Sequence, residues 1–283
     1  MLLEKILNKY DRDKNVMWEI AEECLNLSKE KIIAFSKEIT VSPQQAKKID
    51  KIFLKYHQGT PLAYCLKRKY FLGYKFYVNN NTLIPRPETE ILVNEAIALM
   101  KNMKGGNIID IGTGCGNIII SLYKQSGTTK TKNYFFAVDK SKKALKVAMR
   151  NASRLNAKKI NFSQSDLFSN KKLPKKFEMI LANLPYLEKN YLKNLPANLS
   201  KPLSYEPAMA LSGGKKGSEL ISRLIKKLKE QISAKGICLI ELGDNQAQQI
   251  IKICTFENLD TKQIKDLNGF TRFLEIKKRI HQV

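Results

Sequence analysis

Apolar residues recur at helical spacing through the first 58 residues: Leu2, Leu3, Ile6 and Leu7, then Trp18, Ala21 and Leu25, then Ile32, Ile33 and Phe35, then Ile49, Ile52 and Phe53. Ser42-Pro43 reads as an N-cap with proline in the first turn. No glycine precedes Gly59. The stretch predicts a small all-helical domain, which Gly59-Thr60-Pro61 ends. The pattern then alternates. Tyr70, Phe71, Tyr74, Phe76 and Tyr77 surround Gly73, which predicts a short β-hairpin ending at Pro85-Arg86-Pro87.

A different rhythm follows. A helix is expected from Glu88 to Met100, with Ile91, Leu92, Ala96, Leu99 and Met100 on its apolar side. Short apolar strands then alternate with helices. The strands are expected at 107–112, at 134–139, and in the segments INFSQSD, FEMILAN and GICLIEL; helices open at Ile118 and span Ser141–Leu155. The segment GFTRFLEIKK, bounded upstream by Asn268-Gly269, alternates again. This order predicts a doubly wound, Rossmann-like α/β domain. The expected division is a helical domain over 1–70, a hairpin linker over 71–84 and the α/β domain over 85–283.

Charge adds one constraint. The chain carries 50 Lys and Arg against 26 Asp and Glu, a formal net charge of +24. Such a surface attracts anionic partners, nucleic acid among them. The lysines are spread along the whole chain, however, so the same excess also follows from lysine on every solvated face. Nucleic-acid contact is compatible with the charge and not required by it. The five cysteines, Cys24, Cys65, Cys115, Cys238 and Cys254, include no C-x-x-C pair, so neither a disulfide framework nor a zinc site is expected. No metal is called for, and a reducing cytoplasm fits this usage. With only His57 and His281, no mechanism that needs several histidines is expected. No apolar run approaches a membrane span, and the charged N-terminal stretch is unlike a secretory signal, so no membrane role is expected.

Two constellations carry chemistry. The first is DIGTGCGN at 110–117, between an apolar strand and a helix. Glycines there allow a tight turn and close ligand approach, but the spacing is G-x-G-x-G and not the dinucleotide G-x-G-x-x-G. Asp110 adds a carboxylate at the first strand's end. Asp139, ending the second strand, can accept both hydroxyls of a ribose. Asp166 follows the third strand, where it could accept from an adenine amino group. Acids without a phosphate-binding pattern favour a cationic nucleoside, S-adenosyl-L-methionine, over a pyrophosphate. The bland reading is a glycine turn with three unrelated acids.

The second constellation is Asn183-Leu184-Pro185-Tyr186, at the end of another apolar strand. The Asn183 side-chain carbonyl and the Leu184 backbone carbonyl can accept both hydrogens of a planar NH₂ group. That would aim the nitrogen lone pair at a methyl donor. Pro185 stiffens the turn and Tyr186 offers an aromatic wall. Alone, the tetrapeptide is also an ordinary Asx-Pro turn.

Taken together, the chain resembles the bacterial N5-glutamine methyltransferases of peptide chain release factors. The resemblance runs through GTPLAY at 59–64, FLGYKFYV at 71–78, LIPRPETE at 83–90, DIGTGCGN, Asp139 and Asn183–Tyr186. It continues through YEPAMALSGG at 205–214, IELG at 240–243 with Gln246, and KDLNGFTRF at 265–273. It implies a helical substrate-recognition domain followed by an S-adenosylmethionine-dependent methyltransferase domain. It also implies a cofactor site at Asp110, Ile111, Gly112, Thr113, Gly114, Asp139, Asp166, Leu167 and Asn183. Asn183, Leu184, Pro185 and Tyr186 would take the substrate, with Asn183, Pro185 and Tyr186 catalytic. The implied substrate is the glutamine of the Gly-Gly-Gln loop.

Two positions depart from the family pattern. Leu184 stands where Asn-Pro-Pro-Tyr is usual, and Leu167-Phe168 stand where tryptophan often follows the third acid. The Asn-Leu-Pro-Tyr spelling resembles ribosomal RNA adenine-N6 dimethyltransferases, which makes an adenine acceptor the alternative. A ribosomal-protein glutamine is a second alternative, and an inactive binding module a third. Arg86 and Glu88 are read equally as ordering substrate or cofactor and as capping the next helix. Tyr64, Phe71 and Phe76 are expected in the hairpin core, Cys115 as a small filler, and Tyr205-Glu206-Pro207 as a turn near the site without assigned chemistry.

Overall fold

A computed structural model describes residues 1–10, 13–127 and 131–279. They form two compact units. The first comprises Met1–Arg68 and the segment Ala197–Tyr205. Its helices are α1 (Leu3–Lys9), α2 (Lys14–Leu25), α3 (Lys29–Phe35), α4 (Pro43–His57) and α5 (Leu62–Leu66). Leu3, Ile6, Met17, Ile20, Ala21, Ile32, Ile49 and Phe53 fill its core. The entry to α4 is a capping box. Ser42 Oγ accepts from the Gln45 N–H at 3.2 Å, Gln45 Oε1 accepts from the Ser42 N–H at 2.9 Å, and Pro43 occupies the first turn. The third helix departs from expectation. Ile32 is buried, but Ile33 and Phe35 are each 50% exposed, because one helical face cannot hold three of four successive positions.

The second unit spans Lys69–Pro196 and Glu206 onward. The hairpin pairs β1 (Arg68–Phe71) with β2 (Tyr74–Tyr77). Leu72 and Gly73 both have positive φ, as a tight two-residue turn requires. Phe71 and Phe76 are buried, edge to face. After α6 (Thr89–Met100), the chain alternates through β3 (Gly106–Ile111), α7 (Asn117–Ser126), β4 (Asn133–Asp139), α8 (Lys142–Arg154), β5 (Ile160–Gln164) and β6 (Phe177–Ala182). Next come β7 (Leu187–Glu188), α9 (Ala197–Ser204, in the first unit), α10 (Ala208–Leu211), β8 (Ser212–Gly214) and α11 (Glu219–Gln231). The chain closes with β9 (Ile232–Glu241), α12 (Ala247–Phe256), β10 (Leu259–Lys265) and β11 (Thr271–Lys278).

The large sheet has seven strands in the order β10-β11-β9-β6-β3-β4-β5. The run from β9 to β5 is parallel, and β11 joins β9 antiparallel. Helices cover both faces, which is why strands such as β3 and β6 read as continuous apolar runs and not as alternation. Chain order runs outward from β3 through β4 to β5, then returns to β6 on β3's other side. The crevice at the carboxyl ends of β3 and β6 is therefore the switch point where open α/β sheets hold ligands. Strand β10 was not legible in the sequence. Only its Leu259 is buried, and its Lys262 and Lys265 suit an edge strand.

Asn151, on α8 and 1% exposed, ties the hairpin to the glycine loop. Its Oδ1 accepts from the Tyr77 N–H at 2.7 Å, and its Nδ2 donates to the carbonyls of Tyr77 and Cys115, each at 2.9 Å. Replacing it with alanine removes the partner of three backbone groups, the buried Cys115 carbonyl and the partly buried N–H and carbonyl of Tyr77. The expected loss is about 2 kcal/mol of folding stability, read from the urea midpoint at constant m-value. A change below about 0.5 kcal/mol would mean water replaces the side chain at no cost.

Candidate active site

The switch-point crevice opens into a cavity of about 640 Å³. The glycine loop forms one wall. Gly112 and Gly114 have φ of +74° and +56°, a region other residues adopt only under strain. A Cβ on Gly112 would also lie 2.9 Å from Leu184 Cδ2. The Gly112 and Thr113 N–H groups donate to the Val138 carbonyl, at 2.8 and 2.9 Å, so the loop is pinned to β4.

Asp139, at the end of β4, completes this wall. The Gly114 N–H donates to its Oδ2 at 2.9 Å and the Ser141 N–H to its Oδ1 at 2.8 Å. Burial raises its carboxyl above the ordinary value, while these two bonds oppose the shift. Each oxygen carries one donor and keeps capacity for another, as a ribose diol needs. Asp110 lies beneath the loop, fully buried. The Thr113 hydroxyl donates to its Oδ2 at 2.6 Å, whereas its Oδ1 is buried without a partner. Burial pushes this carboxyl up to about 7; the Thr113 bond opposes that and nearby Asp139 adds to it.

Asp166 lines the cavity further out. Its Oδ2 accepts from Lys140 Nζ at 3.1 Å and its Oδ1 from Arg223 Nη2 at 3.0 Å. Burial pushes its carboxyl upward, but the two cations outweigh that and hold it below the usual value. Leu167, 4% exposed with φ +54°, supplies an aliphatic wall. Phe168 instead packs on Phe177, with ring centroids 6.0 Å apart.

The opposite wall is the turn after β6. Asn183, Leu184 and Pro185 line the same cavity as Ile111, Gly112, Thr113, Gly114 and Asp139. The Leu184 side chain is 4% exposed and packs in the core beside Ile111 and Ala182. Tyr186 is not among the lining residues. Its ring sits against Gly243, where a Cβ would lie 2.7 Å from Tyr186 Cδ2, and burial pushes its hydroxyl up to about 12. Gln246 anchors the turn. Its Nε2 donates to the Tyr186 carbonyl and its Oε1 accepts from the Gly243 N–H, both at 3.0 Å.

Several residues beside the cavity lie in segments that carry the resemblance, but their partners had no local signature. Glu206, 6% exposed, accepts from the Ile84 N–H at 3.0 Å and from Arg86 Nη2 at 2.5 Å. It thereby clamps the Pro85-Arg86-Pro87 segment beside the cavity. Glu88 occupies the N-cap position of α6 without a side-chain capping bond. Thr89 and Glu241 meet Asn183 in a hydrogen-bonded chain. Cys115 is buried, its thiol pushed up to about 12 by that burial, and it behaves as an inert filler.

The family described as Methyltransferase domain matches residues 102–278. A solved methyltransferase from Pyrococcus furiosus superposes with a TM-score of 0.52 at 17% identity, covering 82% of this chain and 100% of that one. The ribosomal protein L11 methylase of Lactobacillus delbrueckii subsp. bulgaricus gives 0.51 at 18% identity, over 72% and 84%. These structures share the fold. Sequence similarity reaches further. The release factor glutamine methyltransferase of Buchnera aphidicola subsp. Acyrthosiphon pisum is 35% identical over 234 residues, 82% of this chain and 80% of its own. That of Thermodesulfovibrio yellowstonii is 30% identical over 279 residues, 98% of this chain and 96% of its own. With both units and the site segments inside that alignment, this chain belongs to the release factor glutamine methyltransferase family.

Proposed function

We propose that this protein transfers a methyl group from S-adenosyl-L-methionine to the side-chain amide nitrogen (N5) of the glutamine in the Gly-Gly-Gln loop of peptide chain release factors. The observation that carries the reading is one cavity lined on one side by the glycine loop and Asp139 and on the other by Asn183-Leu184-Pro185. Donor and acceptor machinery thus face a common space.

The residues fit the donor. The sugar's diol suits the remaining acceptor capacity of Asp139, while Asp110, buried outside the cavity lining, acts only by holding Thr113 of the loop. Ile111, Gly112, Thr113 and Gly114 supply close backbone, and Leu167 a flat aliphatic surface. Asp166 can take an adenine amino group only by sharing oxygens that already hold Lys140 and Arg223. When bound, the donor supplies an electrophilic methyl group on a sulfonium. An Asp139→Ala variant is expected to bind it about 1.5–3 kcal/mol more weakly, the scale of charge-assisted hydrogen bonds. Isothermal titration measures this, and unchanged affinity would remove Asp139 from the cradle.

On the acceptor side, Asn183 Oδ1 and the Leu184 carbonyl hold the two amide hydrogens, which draws density onto nitrogen and fixes the direction of attack. The methylated nitrogen is strongly acidic, so it releases its surplus proton without a strong base. Leu184 serves through its backbone, which explains how leucine stands in this position. Pro185 holds the turn rigid. Tyr186 acts from behind, packing against Gly243 and carrying the Gln246 bond.

An adenine acceptor fits less well. A flipped base is gripped between aromatic walls, and the described residues lining this cavity include no aromatic side chain. The helical residues 1–70 are the substrate-recognition part in this reading, with Ile33 and Phe35 exposed for contact. The hairpin 71–84 is the linker and 85–283 holds the chemistry. The place of action is the cytoplasm, where release factors work; among the described residues no helix is long and apolar enough to cross a membrane. Incubating release factor and ribosomal RNA in parallel with tritiated donor tests the assignment, with mass spectrometry to locate the group. One methyl on the Gly-Gly-Gln glutamine is expected. Label in RNA with none in release factor would overturn it.

A further inference from the structure

Asn183 must present the correct end of its carboxamide. The two ends are nearly identical in shape but opposite in function, since Oδ1 accepts hydrogens and Nδ2 donates them. If Nδ2 faced the acceptor amide, donor would meet donor. Nothing in the local sequence decides which end turns outward.

Three elements converge on this question. Thr89 opens α6, Glu241 ends β9, and Asn183 follows β6. Thr89 Oγ1 donates to Glu241 Oε2 at 2.7 Å, and Asn183 Nδ2 donates to Thr89 Oγ1 at 2.9 Å. Thr89 is 1% exposed and Glu241 4%, so solvent cannot readily replace either partner. A threonine hydroxyl has one hydrogen. An ionised carboxylate only accepts, so it takes that hydrogen. What Thr89 then offers Asn183 is a lone pair, which only Nδ2 can satisfy. Oδ1 is left to accept from another group.

We propose that Thr89 and Glu241 are positioning residues that set the sense of the Asn183 carboxamide, keeping Oδ1 available to the methyl acceptor. This rests on the methyl-transfer reading above. The polarity starts at Glu241. A protonated Glu241 would donate to Thr89, and Thr89 would then donate toward Asn183, reversing the carboxamide. Burial pushes the Glu241 carboxyl up to about 7, against the Thr89 bond. Glu88 raises it further, while Arg272 and Arg86 lower it. Tyr186 is coupled to the same carboxylate and to Asp244, and Asp244 is paired with Arg272. The reversed state is therefore reached by mild acidification.

The test combines kinetics with an observable that needs no acceptor. In protein labelled with ¹⁵N-asparagine, the Asn183 NH₂ resonance is identified by its loss in Asn183→Ala. Its protons should exchange slowly in the parent and in Thr89→Ser, and at least about tenfold faster in Thr89→Val, where the acceptor is gone. Thr89→Val should lower kcat about 10–100-fold, with cofactor Kd within about twofold of the parent's; Thr89→Ser should restore it. Thr89→Val leaves Glu241 buried and unpaired, so the double variant Thr89→Val/Glu241→Leu, apolar at both places, serves as a folded companion. Its kcat should fall no further than that of Thr89→Val, because both residues act through one chain. The parent's kcat should rise as pH passes through about 7, and Glu241→Gln should lose that limb. Parent-like kcat and parent-like amide exchange in Thr89→Val would overturn the proposal. If the parent leaves release factor unmethylated while the exchange effects appear, the positioning stands and the substrate reading is what fails.

Discussion

Asn183→Ala is expected to lower methyl transfer to release factor by about 10²–10³-fold, the cost of deleting one preorganised hydrogen-bonding group at a reacting centre. Cofactor affinity should stay within about twofold. The amide nitrogen of glutamine is a weak nucleophile, because its lone pair is shared with the carbonyl. In the proposed mechanism Asn183 Oδ1 and the Leu184 carbonyl counter this by holding both hydrogens in fixed directions. With alanine at 183, the Leu184 carbonyl remains but the acceptor group can rotate about the single surviving bond. The lone pair then faces the methyl group only occasionally. The Asp139 side of the cavity is untouched, since its bonds run to Gly114 and Ser141. Single-turnover transfer from pre-bound donor separates the two effects. A residual rate within tenfold of the parent's would show that Asn183 does not hold the acceptor.

The parts of this site legible in the sequence are those encoded within a few consecutive residues. The glycine loop is a strand, a turn and a helix start in eight positions. Asp139 marks a strand end, and Asn183-Leu184-Pro185 follows an apolar run. Alternation of strand and helix was legible for the same reason, since it depends on local period. What failed to show depends on distant partners. Thr89 and Glu241 are 152 residues apart, Ile84 and Glu206 122, Tyr77 and Asn151 74. Most of these lie in segments that carry the resemblance, yet nothing local tells which distant group each will bond until the fold brings the two together. Tyr186 shows the converse. Its motif position offers it as a wall, yet Gly243, far along the chain, leaves a space its ring occupies. The segment Ala197–Tyr205, compact with the helical unit, carries no marker of that membership in its composition.

Gly213→Ala is expected to cost about 3 kcal/mol of stability and to reduce kcat about 100-fold, the price of small displacements at a reacting centre. Gly213 is the middle residue of β8, which runs parallel to β7 through the pair Leu187–Ser212. A Cβ there would run into the carbonyl oxygens of Pro185 and Gly217. Both obstacles are backbone, so no flexible side-chain end can swing aside. Glycine at 213 is therefore a matter of space, because its φ is not in the left-handed region. Relief requires β8 to separate from β7 or Pro185 to shift. Either moves the turn that presents Asn183 and the Leu184 carbonyl, so stability and turnover should fall together. Gly127→Ala is the matched control. It ends α7 with ordinary helical φ and ψ, and a Cβ there meets nothing within 4 Å. That variant should keep the parent's Tm and kcat. Thermal unfolding and single-turnover transfer on the two alanine variants side by side decide the matter. If Gly213→Ala matched Gly127→Ala in both, the turn would not depend on the close approach of β8.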